Sequence, residues 1–340
     1  MSGWLDCIYS DSALAVALSV PDQWARQHPV AVSSSPDLTV RSLQTLRVEG
    51  GAQLLEIGVG SGYTTALLAH LLGEAHVTSI EIDPDLLSAA AQRLDMLDVH
   101  PTLLRGDGAT ESTFAAGERY DRVIVGFEVE TVAPSWIRCT RPGARLLARI
   151  GGTLGAGRHV LLARRCAATT EPELVGRFQD WPGTLPARRH PAGQNPTRHP
   201  STAPHAWLTR QGSTSVSPTD LIDDAPLAML AQLHLPPGTT RSVRSAGTET
   251  ATYLTAPDGS WAEVLHTFDH RGRHDTRYAG PTPLLPRLED AYDTYRDLGA
   301  PGWNAFGVTA TTTDTRIWHD KPTGAAWPIH PNHPHGRHQT

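Results

Sequence analysis

The stretch Gln53-Leu54-Leu55-Glu56-Ile57-Gly58-Val59-Gly60-Ser61-Gly62-Tyr63 reads as a short buried strand that breaks into a turn with glycine at every second position. Glycine lets a backbone turn sharply and approach a ligand closely, and a helix starting at Tyr63 aims its unpaired N–H groups at the same place. An ordinary strand-to-helix turn is the plain alternative, so the neighbouring segments decide. His76-Val77-Thr78-Ser79-Ile80-Glu81 reads as a second strand. It ends in an acid about twenty residues past the glycines, the spacing of a carboxylate that grips ribose hydroxyls, and Glu81 is the candidate for that role. A dinucleotide-binding enzyme has the same spacing. Two details argue against one: Glu56 lies inside the first strand, and a third strand, Pro101 to Arg105, runs into Gly106-Asp107-Gly108.

With these segments placed, LLEIGVGSGY (54–63), VTSIEID (77–83), GDG (106–108) and RPGARLL (141–147) resemble the ordered motifs of class I S-adenosylmethionine (SAM) methyltransferases. The wording is similar to protein L-isoaspartate O-methyltransferases, over Tyr9 to Arg188. The resemblance implies an α/β, Rossmann-like fold whose glycine loop, on Glu56, Gly58, Val59, Gly60 and Gly62, cradles the methionine part of SAM. It further implies that Glu81, followed by Ile82, holds the ribose, that Asp107 with Gly108 meets the adenine, and that S-adenosyl-L-homocysteine is the product.

Val32-Ser33-Ser34-Ser35-Pro36 leads into a helix with Leu38, Leu43 and Leu46 on one side. Serines ahead of a helix are commonly N-caps. The family places a serine two residues before a proline here, where its hydroxyl touches the substrate carboxylate near the methyl group. Ser34 is the match, with Ser33 and Ser35 as rivals for this catalytic position. Met1 to Val32 carries only short apolar runs and is expected to wrap the domain edge as irregular structure, the longer N-terminal helical part of the family being short or absent.

The net charge is −6, and Lys and Arg are scattered without a basic stripe, which speaks against nucleic acid as a partner. Cys7, Cys139 and Cys166 are widely spaced and odd in number, so neither a disulfide framework nor a zinc site is expected, and a reducing cytoplasm fits. There is neither a signal-peptide pattern nor an apolar run of membrane-spanning length, so no membrane partner is expected.

Along the chain, Thr64 to Leu72 and Pro84 to Leu97 read as helices, with Asp83 as the cap of the second. Tyr120 to Val125 reads as the fourth strand. The Gly126-Phe127-Glu128-Val129-Glu130 segment after it lies where open α/β sheets bind ligands, as a solvated loop or with its two carboxylates toward a substrate. Trp136 to Thr140 is the next helix, Ala144 to Ile150 the fifth strand, and two consecutive strands follow at His159 to Arg165 and near Gly176.

Residues 1–186 are thus expected to form the methyltransferase domain, and 187–206, rich in Pro and His, a linker without a metal-binding arrangement. Residues 207–325 are expected to form a smaller α+β accessory module for peptide substrates, and 326–340 a disordered tail. In the module, Leu221 to Leu235 and Leu285 to Leu298 read as helices. Strands lie near Arg241 to Arg244, Thr250 to Thr255 and Trp261 to Phe268, with Asp258-Gly259 as a hairpin turn and Trp303, Phe306 and Trp318 as anchors of the same module.

The added module, WLDxxYSD (4–11), the serine run and GWxxFGVT (302–309) resemble the bacterial branch of isoaspartate-type methyltransferases associated with ribosomally made peptides of the lanthipeptide, lasso and graspetide kinds. This resemblance implies methylation of an aspartate carboxylate in a constrained peptide and closure to an aspartimide. An isoaspartate repair enzyme, acting on proteins or peptides with an isoaspartyl carboxylate, and a non-catalytic SAM- or peptide-binding subunit are the alternatives.

Overall fold

The computed structural model describes residues 10–18, 27, 29–110, 113, 117, 119–165, 171–181, 209–246 and 249–330. The linker expected at 187–206, together with Cys7, Tyr9 and Cys166, lies outside them. In chain order, β1 (Leu14–Leu18) and β2 (Pro29–Ser33) form an antiparallel pair, so the start of the chain holds a hairpin where irregular structure was expected. Next come α1 (Pro36–Leu46), β3 (Leu54–Ile57), α2 (Tyr63–Leu72), β4 (Val77–Glu81), α3 (Pro84–Asp95), β5 (Thr102–Arg105), β6 (Tyr120–Val129), α4 (Pro134–Arg138), β7 (Thr140–Ile150), β8 (Arg158–Arg164) and β9 (Glu173–Phe178). The chain continues with β10 (Arg210–Thr214), α5 (Asp220–Asp223), α6 (Ala225–His234), β11 (Thr240–Ala246), β12 (Glu249–Thr255), β13 (Trp261–Phe268), β14 (His274–Ala279), α7 (Leu284–Asp297), β15 (Phe306–Thr311), β16 (Thr315–His319) and β17 (Ala326–Pro328).

Ten strands form one sheet in the order β17-β16-β15-β9-β8-β7-β6-β3-β4-β5. From β7 to β5 neighbouring strands are parallel, and from β8 onward each addition is antiparallel. The chain leaves β3 toward β4 and β5, then returns to β6 on the other side of β3. That reversal opens a crevice beyond the carboxyl ends of β3 and β6, the place where α/β sheets take ligands. β3 is buried at all four positions, which is why it reads as an unbroken apolar run around Glu56.

One face of the sheet packs under α1 and α2, with Leu43, Leu46, Leu68 and Leu72 against Leu54, Ile124 and Leu147. On the other face Trp136 and Ile137 of α4, Leu227 and Met229 of α6 and Tyr295 of α7 share a core with Leu55, Val123, Leu146 and Val160. The remaining sides of α6 and α7 (Ala231, Leu284, Leu288), with Leu235 just past α6, pack on Leu254 and Val264 of a five-stranded antiparallel sheet ordered β10-β14-β13-β12-β11. A helix sandwiched between two sheets is apolar all round, and Ala225-Pro226-Leu227-Ala228-Met229-Leu230-Ala231 is.

The boundary expected at residue 325 therefore cuts through paired strands. β15 pairs with β9, β16 with β15 and β17 with β16, so residues 306–328 complete the large sheet, and Trp303 and Phe306 belong to its core rather than to a separate module. Without β15, β9 presents an unpaired backbone edge, a liability that pairing removes. The helix expected over Leu221 to Leu235 is broken at Asp224, whose Oδ1 caps α6 by accepting from Leu227 N at 3.1 Å. β6 also runs on through Val129, so Glu128 lies in a strand and not in a loop. Among the described residues no helix is long and apolar enough to cross a membrane.

Candidate functional site

The carboxyl ends of β3, β4 and β5 meet at one edge. Gly58 (φ 93°), Gly60 (φ 56°) and Gly62 (φ 84°) all adopt left-handed backbone, which only glycine enters at little cost, and Gly62 leads into α2. A side chain at Gly58 would press on the Phe127 ring at 3.0 Å, whereas the Cβ position at Gly60 opens on free space. The loop thus offers backbone, not side chains, to a ligand.

Glu81 braces it. One carboxylate oxygen accepts from Gly60 N at 3.0 Å and the other from Ile82 N (3.0 Å) and Asp83 N (3.1 Å). These bonds spend part of the acceptor capacity of an ionised carboxylate, and lone pairs are left for a further donor. Ile82 is 48% exposed beside it, an apolar surface at the mouth. Asp83 caps α3, accepting from Asp85 N and Leu86 N. Asp107 is half-buried and accepts from Ala109 N at 2.9 Å, and Gly108 is pressed so closely on Ile57 that a Cβ would meet its Cγ2 at 2.5 Å. The Gly108 carbonyl takes the Trp136 indole N–H at 2.7 Å.

Glu56 stands behind the loop. It is 2% exposed, and its Oε2 accepts from Thr65 Oγ1 (2.5 Å) and Ser79 Oγ (2.7 Å), tying β3 to α2 and β4. Burial pushes its carboxyl up to about 7; the two hydroxyl bonds oppose this and the charge of Glu81 adds to it. The sequence placed it on the loop, and the structure makes it the loop's support.

The three serines separate. Ser35 is the N-cap of α1, accepting from Leu38 N at 3.4 Å. Ser33 Oγ accepts from Ser61 Oγ of the glycine loop at 3.2 Å. Ser34, between them, makes no hydrogen bond among the described residues and is partly exposed. Ser33 thus lays the run against the loop while Ser34 keeps its hydroxyl free.

Glu128 turns its carboxylate inward rather than to solvent. It forms an ion pair with Arg149 Nε at 2.9 Å, with side chains 5% and 6% exposed respectively. His159 is cross-strand from Arg149 and stacks on Trp181 at 4.8 Å. Burial, then the charges of Arg149 and Arg158, push its imidazole down to about 3, so it is neutral at any physiological pH. Sequence reasoning weighed Glu128 but passed over Arg149 and His159 as site residues, although an arginine inside Leu146-Leu147-Ala148-Arg149-Ile150 is a signal in itself.

Residues 4–167 match the family model described as Protein-L-isoaspartate(D-aspartate) O-methyltransferase (PCMT). The chain is 30% identical over 193 residues to Protein-L-isoaspartate O-methyltransferase 1 of Rhodopseudomonas palustris (strain HaA2), covering 54% of this chain and 73% of that protein. It is 38% identical over 122 residues to Protein-L-isoaspartate O-methyltransferase of Anaeromyxobacter dehalogenans (strain 2CP-1), where the match covers 35% of this chain and 56% of the relative, so the chain spans about half of that relative's length. A solved protein-L-isoaspartate O-methyltransferase is similar with a TM-score of 0.49 and 19% identity, over 93% of this chain and 89% of that one. With the glycine loop, the acids that close β4 and β5 and the serine run at one sheet edge, the match to the Rhodopseudomonas palustris protein, 30% identical and covered to 73%, places the chain in the protein-L-isoaspartate O-methyltransferase family.

Proposed function

We propose that this protein is a SAM-dependent carboxyl O-methyltransferase acting on peptides. The observation that carries the reading is the Ser61–Ser33 hydrogen bond, which lays the serine run against the glycine loop and so supports an acceptor carboxylate and a methyl donor meeting there. The residues fit SAM. The left-handed loop at Gly58, Gly60 and Gly62, open beyond Gly60, would take its methionine part, Glu81 has acceptor capacity for ribose hydroxyls, and Ile82, Asp107 and Gly108 would frame the adenine. When bound, SAM supplies an electrophilic methyl group and leaves as S-adenosyl-L-homocysteine.

The chain's own residues have little proton chemistry to perform. A carboxylate, with a reference pKa near 4, is already ionised at neutral pH, so no base is needed. Alignment is the main task, and holding the reacting atoms in line removes much of the barrier. Ser34 donates to one carboxylate oxygen and leaves the other free for the methyl carbon.

In the finer reading the acceptor is an aspartate in a constrained, ribosomally made peptide, and the ester closes to an aspartimide. The second, five-stranded sheet packed on α6 and α7 supports it, because the family match ends at residue 167. Repair of isoaspartyl residues is the second reading, favoured by the two relatives named above, both protein-L-isoaspartate O-methyltransferases. Incubation with SAM and three peptides tests both: one cyclised with aspartate, the same one linear, and one with isoaspartate. Mass spectrometry is expected to show methyl addition and then methanol loss on the cyclised aspartyl peptide. Turnover of the isoaspartyl peptide alone supports repair, and turnover of none sinks the enzymatic reading.

A further inference from the structure

At the carboxyl end of β7 the sheet buries a charge where its neighbours are apolar. Arg149 is 5% exposed and donates through Nε to Glu128. Among the described residues no other hydrogen bond holds its guanidinium, so the Nη edge is unspent there. His159, in register with Arg149, has a buried Nδ1 without a hydrogen-bond partner among the described residues.

These groups share a face with α1. Glu128, Arg149 and His159 are cross-strand neighbours, and Leu147, two residues before Arg149, packs in the same cluster as Leu43 of α1. α1 runs antiparallel to β7. Near its end the Thr45 carbonyl accepts from Arg145 Nη1 at 3.4 Å, and ahead of its start Ser33 touches the glycine loop at the strands' carboxyl ends. Four strand residues from Arg145 to Arg149 advance about 13 Å. Nine helix residues from Thr45 back to Pro36 cover about the same distance. The serine run therefore comes level with Arg149.

A buried ion pair is weak evidence for stability, since apolar residues of similar volume serve as well. What this pair achieves is orientation. Glu128 fixes one edge of a planar guanidinium and leaves the Nη edge, whose fork matches a carboxylate. An arginine on the reacting carboxylate would draw electron density from the attacking oxygen, so the group it suits is a second carboxylate nearby.

We propose that Arg149 is a specificity-determining residue that binds an acidic side chain of the peptide flanking the methylated carboxylate, with Glu128 setting the guanidinium plane and His159 Nδ1 offering a further hydrogen bond. The substrate class is thus an acidic peptide. This rests on the carboxyl-methyltransferase reading.

The test uses the full chain and two blocked peptides, one with a central aspartate flanked by aspartates and one flanked by asparagines. Calorimetry in the presence of S-adenosyl-L-homocysteine measures peptide affinity without turnover. The wild-type protein is expected to prefer the acid-flanked peptide at least tenfold. Glu128→Gln with Arg149→Gln, which keeps a neutral hydrogen-bonding pair, is expected to abolish that preference, and Arg149→Lys, which keeps the charge without the fork, to reduce it severalfold. No preference in the wild type, or an undiminished one in both variants, overturns the proposal. Methylation of the central aspartate and affinity for S-adenosyl-L-homocysteine, read on the same wild-type samples, report separately on the methyltransferase reading.

Discussion

Ser33, Ser34 and Ser35 are chemically alike and adjacent, and they do three different things. Ser34→Ala is expected to lower turnover at least tenfold while leaving affinity for S-adenosyl-L-homocysteine unchanged, by methylation kinetics and calorimetry; equal loss of both would remove it from the acceptor site. Ser35→Ala is expected instead to cost about 1 kcal/mol of stability through the lost cap, seen in denaturant melts. Glu56 makes a second prediction at this scale. Its folded pKa of about 7 stands above its ordinary 4.5, so the folded state holds more protons than the unfolded chain between those values. Stability consequently falls as pH rises through that window. Glu56→Gln keeps an acceptor for Thr65 and Ser79 but cannot ionise. Its advantage over wild type is expected to be on the order of 2 kcal/mol at pH 8 and much smaller at pH 5. Equal melting shifts at both pH values would rule burial out as the cause.

The elements owe their limits to single side chains. Asp224 ends α5, caps α6 and accepts from the Tyr295 hydroxyl of α7 at 2.7 Å, and burial together with that carboxylate pushes the phenol pKa upward. Removing the acid strands two helices at once. Asp224→Ala is expected to cost on the order of 2–3 kcal/mol and Tyr295→Phe about 1 kcal/mol, the double variant costing less than the sum. Denaturant melts of the three variants check this, and strict additivity would mean that the two groups do not act together. The break at Asp224 was hidden in the sequence because Leu221 to Leu235 is apolar enough to read as one helix. The cap of α3 was legible, since Asp83-Pro84 is a local signal acting within one turn.

At the scale of the whole molecule the last strands belong with the first ones. Trp318 of β16 is 2% exposed and donates its indole N–H to Thr309 Oγ1 at 3.1 Å. Trp318→Ala is expected to destabilise the entire fold by about 3–5 kcal/mol, although it lies far beyond the part shared with the family model. A single cooperative melt shifted to lower denaturant is the expected record, whereas a second transition with the first unmoved would make residues 306–328 an independent unit. A chain ending at 208 lacks β15 and the apolar sides of α6 and α7, and is expected to aggregate.

The sequence alone determined the parallel half of the sheet, the glycine loop and the closing acids, because each is written in contiguous residues whose periodicity or spacing is itself the signal. LLEIGVGSGY and VTSIEID carry both strand and site within about ten residues each. Only the tertiary structure decided which serine caps and which stays free, that Glu56 stands behind the loop, that Glu128 is paired with Arg149, and that β15 closes the open edge at β9. Apart from the Ser35 cap, which is local, those outcomes depend on partners 9 to more than 130 residues away, and a linear pattern holds no record of which distant surface will exclude water from a given side chain.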